Sequence, residues 1–200
     1  MERTRLESAA TDYTYLRGLF GIPIGLTFIL AALGNIGWGP LDHAWVFLVC
    51  LAALGLSCLP INRFYNRHYG RVTLSTRQQV RVTIATIAST ALILGGSLLL
   101  NSRAGFSLDL PVNPIAVTFA LGMLIVGAAT LGVKRHHVVV LGALLAIGLL
   151  PIWSGPSADN VGLALAGVAV IVMGLLDHRL LVRTFGPSVG LTAESGDAGA

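Results

Sequence analysis

The sequence predicts an all-α, polytopic membrane protein: a six-transmembrane-helix bundle with both termini cytoplasmic. Three observations carry that prediction. Hydrophobic residues make up 54% of the 200 and charged residues only 11%, against roughly 45–50% and 25% in a soluble domain. The charges are bunched, leaving six uncharged tracts of 17 to 24 residues; about 20 helical residues cross a hydrocarbon core of roughly 30 Å. Finally, basic residues alternate in density from one inter-tract segment to the next. A soluble globular enzyme, a disordered chain and a disulfide-stapled secreted domain are excluded. An outer-membrane barrel is too, since it would show segments of about 10 residues with alternating polarity.

Taken in order, the first span covers 18–41. It is too long for a signal peptide, is preceded by acidic residues, and lacks a small-x-small cleavage site. Gly18, Gly21, Pro23 and Gly25 crowd its start, so a bend is expected near residues 19–23, with Tyr13 and Tyr15 at headgroup level. Gly21 and Gly25 form a small-residue face suited to close helix contact, within the bundle or with a partner subunit. The second span, 44–62, follows Trp38-Gly-Pro-Leu-Asp42, which offers an interfacial Trp, a turn, and an Asp placed to cap the next helix. Trp153 to Asp159 repeats that chemistry before the sixth span. Cys50 and Cys58 share the second helix about 12 Å apart and cannot pair.

The third span, 82–102, is preceded by Ser75-x-x-Gln78, a capping-box pattern that starts its helix before the apolar stretch. Asn113-Pro114 places an N-cap and a first-turn proline at the head of the fourth, 110–133. The fifth runs 138–158. The sixth, 160–176, reaches span length with Asp159 and Asp177 at the interfaces. Residues 1–183 are thus read as one transmembrane domain, and 184–200, rich in Gly, Ser and Ala, as a disordered cytoplasmic tail. Twelve of the 13 basic residues fall in the N-terminal segment, the second and fourth loops and the C-terminal segment, and Arg103 alone falls on the other side. By the positive-inside rule both ends lie in the cytoplasm. Twelve Arg against one Lys, with abundant Ala, Gly and Leu, reads as a high-GC bacterium and hence an inner (plasma) membrane.

The strongest local pattern is Arg63, Arg67 and Arg71, which recur every four residues if the second helix continues past Pro60, with Tyr65 and Tyr69 in a neighbouring stripe. Gly70 is the expected helix end, which makes Arg71 the outermost member. Such a row anchors the chain by its charge and suits anionic phospholipid headgroups or a cytoplasmic protein partner. Thr83, Thr86, Thr90 and Ser97 form a polar seam on one face of the third helix, expected to bond helix carbonyls or glue helices rather than line a path.

No Asp, Glu, Lys, Arg or His lies deep in any span, against the habit of proton relays and ion-coupled carriers. His136 and His137 are adjacent, so they should diverge on a helix, and no third ligand is near in sequence; no metal site is expected. His43, His68 and His178 look isolated, and Asp177 is expected to pair with an arginine of the second loop. Ser57 has no intramembrane His as base, and Walker, His-Glu-x-x-His and paired-Asp arrays are all missing. The expectation is therefore no catalytic residue, no cofactor and no nucleic-acid partner. It leaves a non-catalytic binding, accessory or sensor subunit, working with membrane or cytoplasmic proteins or as a homo-oligomer. The alternative is the membrane subunit of a transporter for a neutral or lipid-like solute, driven by a partner ATPase.

Overall fold

A computed structural model of the chain describes residues 16–69, 112–130, 133–150, 152 and 158–185, with short pieces at 79–80, 83–84, 87–88, 90–92 and 95–96. All regular structure among these residues is helical. A 3-10 turn, Gly18–Phe20, leads into α1 (Gly21–Asn35). The expected bend is therefore a change of helix type just before Gly21. Pro23 sits within the first turn of α1, where its missing N–H removes no helical bond.

After α1 the chain turns through Gly37 and Gly39, both with positive φ that a side chain would disfavour, into a 3-10 turn at Gly39–Asp42. Helix α2 (Ala44–His68) follows. Asp42 does not cap it: the N-cap is His43, with no side-chain cap bond. Helix α2 does run through Pro60 as the arginine row requires. It ends at His68, so Tyr69 is its C-cap and Arg71 lies outside the described residues.

Helix α3 (Pro114–Thr130) begins as the sequence predicts. Asn113 Oδ1 accepts the Ala116 N–H at 2.9 Å, an N-cap bond. Fully buried, Asn113 also donates Nδ2 to the Ala158 carbonyl at 2.6 Å and its own N–H to the Gly148 carbonyl at 2.8 Å. Asn113 thus fastens the head of α3 to the end of α4 (Arg135–Gly148) through its backbone and to the head of α5 (Ala158–Phe185) through its side chain. Helix α4 starts three residues earlier than the fifth apolar tract and stops at Gly148, ten residues short of the expected end. Helix α5 continues past Leu176, carrying Asp177, His178, Arg179 and Arg183 as helical residues; the tail from 186 lies outside the described residues.

Packing is organised by small residues. Helices α1 and α5 run antiparallel in close contact, Gly18 and Gly21 against Gly174, and Gly25 against Gly167. At their far ends Asn35 Nδ2 donates to Asn160 Oδ1 at 3.0 Å. Gly21 and Gly25 therefore serve contact within the chain, the first of the two expectations. Ala116, Ala120, Ala166 and Ala169 bring α3 and α5 together around Leu141 and Leu144 of α4, and Phe28 meets Phe119 edge-on at 5.8 Å. Interfaces of Gly and Ala suit helices in lipid, where backbone proximity and dispersion replace the hydrophobic effect.

Among the described residues, three helices are long and apolar enough to cross a membrane: Gly18–Asn35, Ala44–His68 and Ala158–Thr184. The apolar stretch of α2 has none of its residues buried, with Trp45 67% and Leu56 63% exposed. Val139 and Ile147 of α4 and Val168 of α5 are bare as well. Apolar surface of this extent is stable in lipid and a liability in water. The fold is that of a membrane-associated helical protein.

Candidate functional site

Polar chemistry gathers at one end of the bundle, where α1 begins, α2 ends, α4 begins and α5 ends. Its mechanical centre is Tyr65. This ring is fully buried with Leu16 and Leu181 and is stacked on Phe20 at 6.0 Å. Its hydroxyl accepts the Leu19 N–H at 3.1 Å and lies 3.1 Å from His178 Nδ1. Leu19 belongs to the opening 3-10 turn, whose first N–H groups have no helical acceptor, so the phenol satisfies an orphan donor. Arg17 lies over the same ring, 5.7 Å from its centroid, and reaches Asn66 Oδ1 at 3.4 Å. His178, expected to be isolated, is part of this aromatic cluster, 5.9 Å from the Tyr65 ring.

These contacts revise the arginine–tyrosine stripe. Arg63 and Arg67 are exposed on α2, one turn apart, and free of the core. Tyr65, by contrast, is fully buried and unavailable to a headgroup, and Tyr69 is half-buried against the same cluster. Of the hydroxyl seam, Thr83 and Thr90 are helical and exposed, while Thr86 and Ser97 lie outside the described residues. Ser57 Oγ donates to the Leu54 carbonyl at 2.6 Å, an ordinary helix back-bond.

Beside Tyr65 lies a group the sequence did not assemble. Asp177 is buried, and its two oxygens face two imidazoles: Oδ1 is 2.9 Å from His136 Nε2 and Oδ2 is 3.0 Å from His137 Nε2. An ionised carboxylate only accepts, so each ring presents Nε2–H to a different oxygen. The two rings stand at 72°, with centroids 4.4 Å apart. Adjacent histidines were expected to diverge. They converge because α4 starts at Arg135, which puts both in its first turn, where the long imidazoles reach across to a carboxylate on α5. Asp177 in turn sets negative charge at the head of α4, a helix with no acidic residue of its own in the first turn. Among the described residues its ion-pair partners are these histidines; of the second-loop arginines expected to pair with it, Arg71, Arg77 and Arg81 lie outside the described residues.

A cavity of about 280 Å³ opens beside the group, lined at its polar end by Arg17, Lys134, His137 and Asp177 and at its apolar end by Met123, Leu141 and Met173. Gly18, Gly21 and Gly174 form its wall, so the close α1–α5 contact also shapes the site. No protein-family model, curated protein or solved structure matches the chain.

The sequence carried one overlooked signal. Asp177 is the carboxylate that directly follows the sixth apolar tract, and His136-His137 directly precede the fifth. The histidines of the shorter basic loop hold that carboxylate.

Proposed function

We propose that this chain is a multi-pass inner-membrane protein with six spans and cytoplasmic termini, acting as a non-catalytic accessory or sensor subunit. The observation that carries the reading is that every Lys and Arg among the described residues lies at a single end. Arg17, Arg63, Arg67, Lys134, His136, His137 and Asp177 collect where Tyr65 ties α1, α2 and α5 together, and the flanks remain apolar. The alternating directions of the described helices support the topology: α1 packs antiparallel to α5, and Asn113 joins the end of α4 to the heads of α3 and α5. That end coincides with the side to which the positive-inside rule assigns the cytoplasm.

At this end the exposed Arg63 and Arg67 engage anionic phospholipid headgroups, each guanidinium contributing about 1 kcal/mol. The test is co-purification in mild detergent followed by lipid quantification. Replacing Arg63, Arg67 and Arg71 by Gln should lower the anionic lipid retained per chain several-fold and leave zwitterionic lipid unchanged. Equal anionic lipid on the triple variant and the parent would contradict the reading.

A further inference from the structure

We propose that His136, His137 and Asp177 form a binding site for one divalent transition-metal ion, with zinc as the best match. The inference deepens the binding-subunit reading by giving the ligand class, and its geometry is independent of membrane orientation.

Three ligand atoms, one from each residue, lie within 4.8 Å of one another and come from two helices. Around a tetrahedral zinc ion, with bonds of about 2.0–2.2 Å, neighbouring ligand atoms sit about 3.3 Å apart. His136 Nε2 lies 2.9 Å from Asp177 Oδ1 and His137 Nε2 3.0 Å from Oδ2, so each nitrogen faces its own carboxylate oxygen. With one oxygen as ligand the three atoms spread over up to 4.8 Å, and binding requires the side chains to rotate until that spread closes toward the tetrahedral separation. Binding replaces each Nε2–H donation by a coordinate bond, so the imidazole proton moves to Nδ1 or leaves to solvent. Two imidazoles and one carboxylate select zinc, cobalt or nickel over magnesium or calcium, which prefer oxygen.

The surroundings fit a small cation held by three protein ligands. The histidine side chains are 22% and 26% exposed and Asp177 12%, so the group can be reached by an ion from solvent. His137 and Asp177 also line the 280 Å³ cavity, so the fourth coordination position faces open space large enough for water or a small ligand. Two cationic residues share that cavity. Arg17 has its guanidinium over the Tyr65 ring and at Asn66, on the α2 side. Lys134 is half-buried at the same cavity, and its charge is a cost that the ion's ligands must offset. An ion here would staple α4 to α5, a change of state suited to a sensor.

The test uses full-length protein in detergent, stripped with chelator, in a Cys50→Ser, Cys58→Ser background that removes competing thiols. Titration with zinc should show one ion per chain and raise the thermal midpoint. His136→Gln and His137→Gln should each weaken binding by more than the ~10–100-fold that loss of an outer-shell partner costs, while His43→Gln and His68→Gln leave it unchanged. Asp177→Asn should abolish the thermal shift; if that variant fails to fold, the two histidine variants decide. Zinc binding of equal affinity in the parent and the His136→Gln, His137→Gln double variant would overturn the proposal, as would no saturable binding at all. Neither outcome touches the topology, which is read by labelling.

Discussion

At the scale of single residues, the strongest organising positions are polar ones inside an apolar protein. Asn113 serves three backbone groups from three helix ends, and Tyr65 serves the first turn before α1 while filling a gap between α1, α2 and α5. Neither can be replaced by an apolar side chain without leaving a buried donor or acceptor unmet, and each such group costs about 1–3 kcal/mol. Asn113→Ala leaves the buried Ala116 N–H without its N-cap acceptor and removes the side-chain bond to the Ala158 carbonyl, while the backbone bond to Gly148 remains. It should lower stability by about 1–2 kcal/mol, read as a fall in the thermal midpoint of the purified protein; an unchanged midpoint would count against the cap and the tie to α5. The role of Asn113 was partly legible, because Asn-Pro before an apolar tract has one common meaning. The role of Tyr65 was not: a tyrosine beside three arginines has the composition of an interfacial anchor, and only the meeting of α2 with the first turn and α5 buries it.

At the scale of elements, α1 and α5 form the tightest pair, and glycine makes it so. A methyl group built on Gly174 would collide with the Gly18 carbonyl and come within 3.1 Å of the Gly21 Cα, both backbone atoms that cannot move alone. At Gly55 and Gly142 the same methyl would meet nothing within 4 Å. Gly174→Ala should therefore destabilise by about 1–3 kcal/mol through overpacking. Gly55→Ala and Gly142→Ala should be neutral or slightly stabilising, since alanine favours a helix by up to ~1 kcal/mol over glycine. Unfolding in a denaturing detergent ramp would separate the three variants, and equal midpoints would refute close α1–α5 packing. The sequence revealed the Gly21–Gly25 half of this contact and not the Gly167–Gly174 half. Two glycines four apart display a helical face; two glycines seven apart among many other small residues do not. Element ends were legible where proline or a cap marks them, at Pro114 above all. They were illegible at α4, whose helix begins within the charged loop, and that shift is what turns His136 and His137 onto Asp177.

At the scale of the whole molecule, the described helices turn apolar flanks outward and their Lys and Arg side chains collect at one end. A membrane position accounts for both. Among the described residues three helices are long and apolar enough to span; α4, at 14 residues or roughly 21 Å, is shorter than a hydrocarbon core. The six-span, both-ends-inside topology is the central claim, because it sets the arginines, the cavity and the His136–His137–Asp177 group on the cytoplasmic face together. The most direct measurement is single-cysteine labelling with a membrane-impermeant maleimide on intact cells, in a Cys50→Ser, Cys58→Ser background. Cysteine placed at His43, Ser107 or Ser157 should label before lysis, and cysteine at Arg67, Arg135 or Thr184 only after it. Labelling of Arg67 or Thr184 in intact cells, or silence of His43 until lysis, would contradict the account.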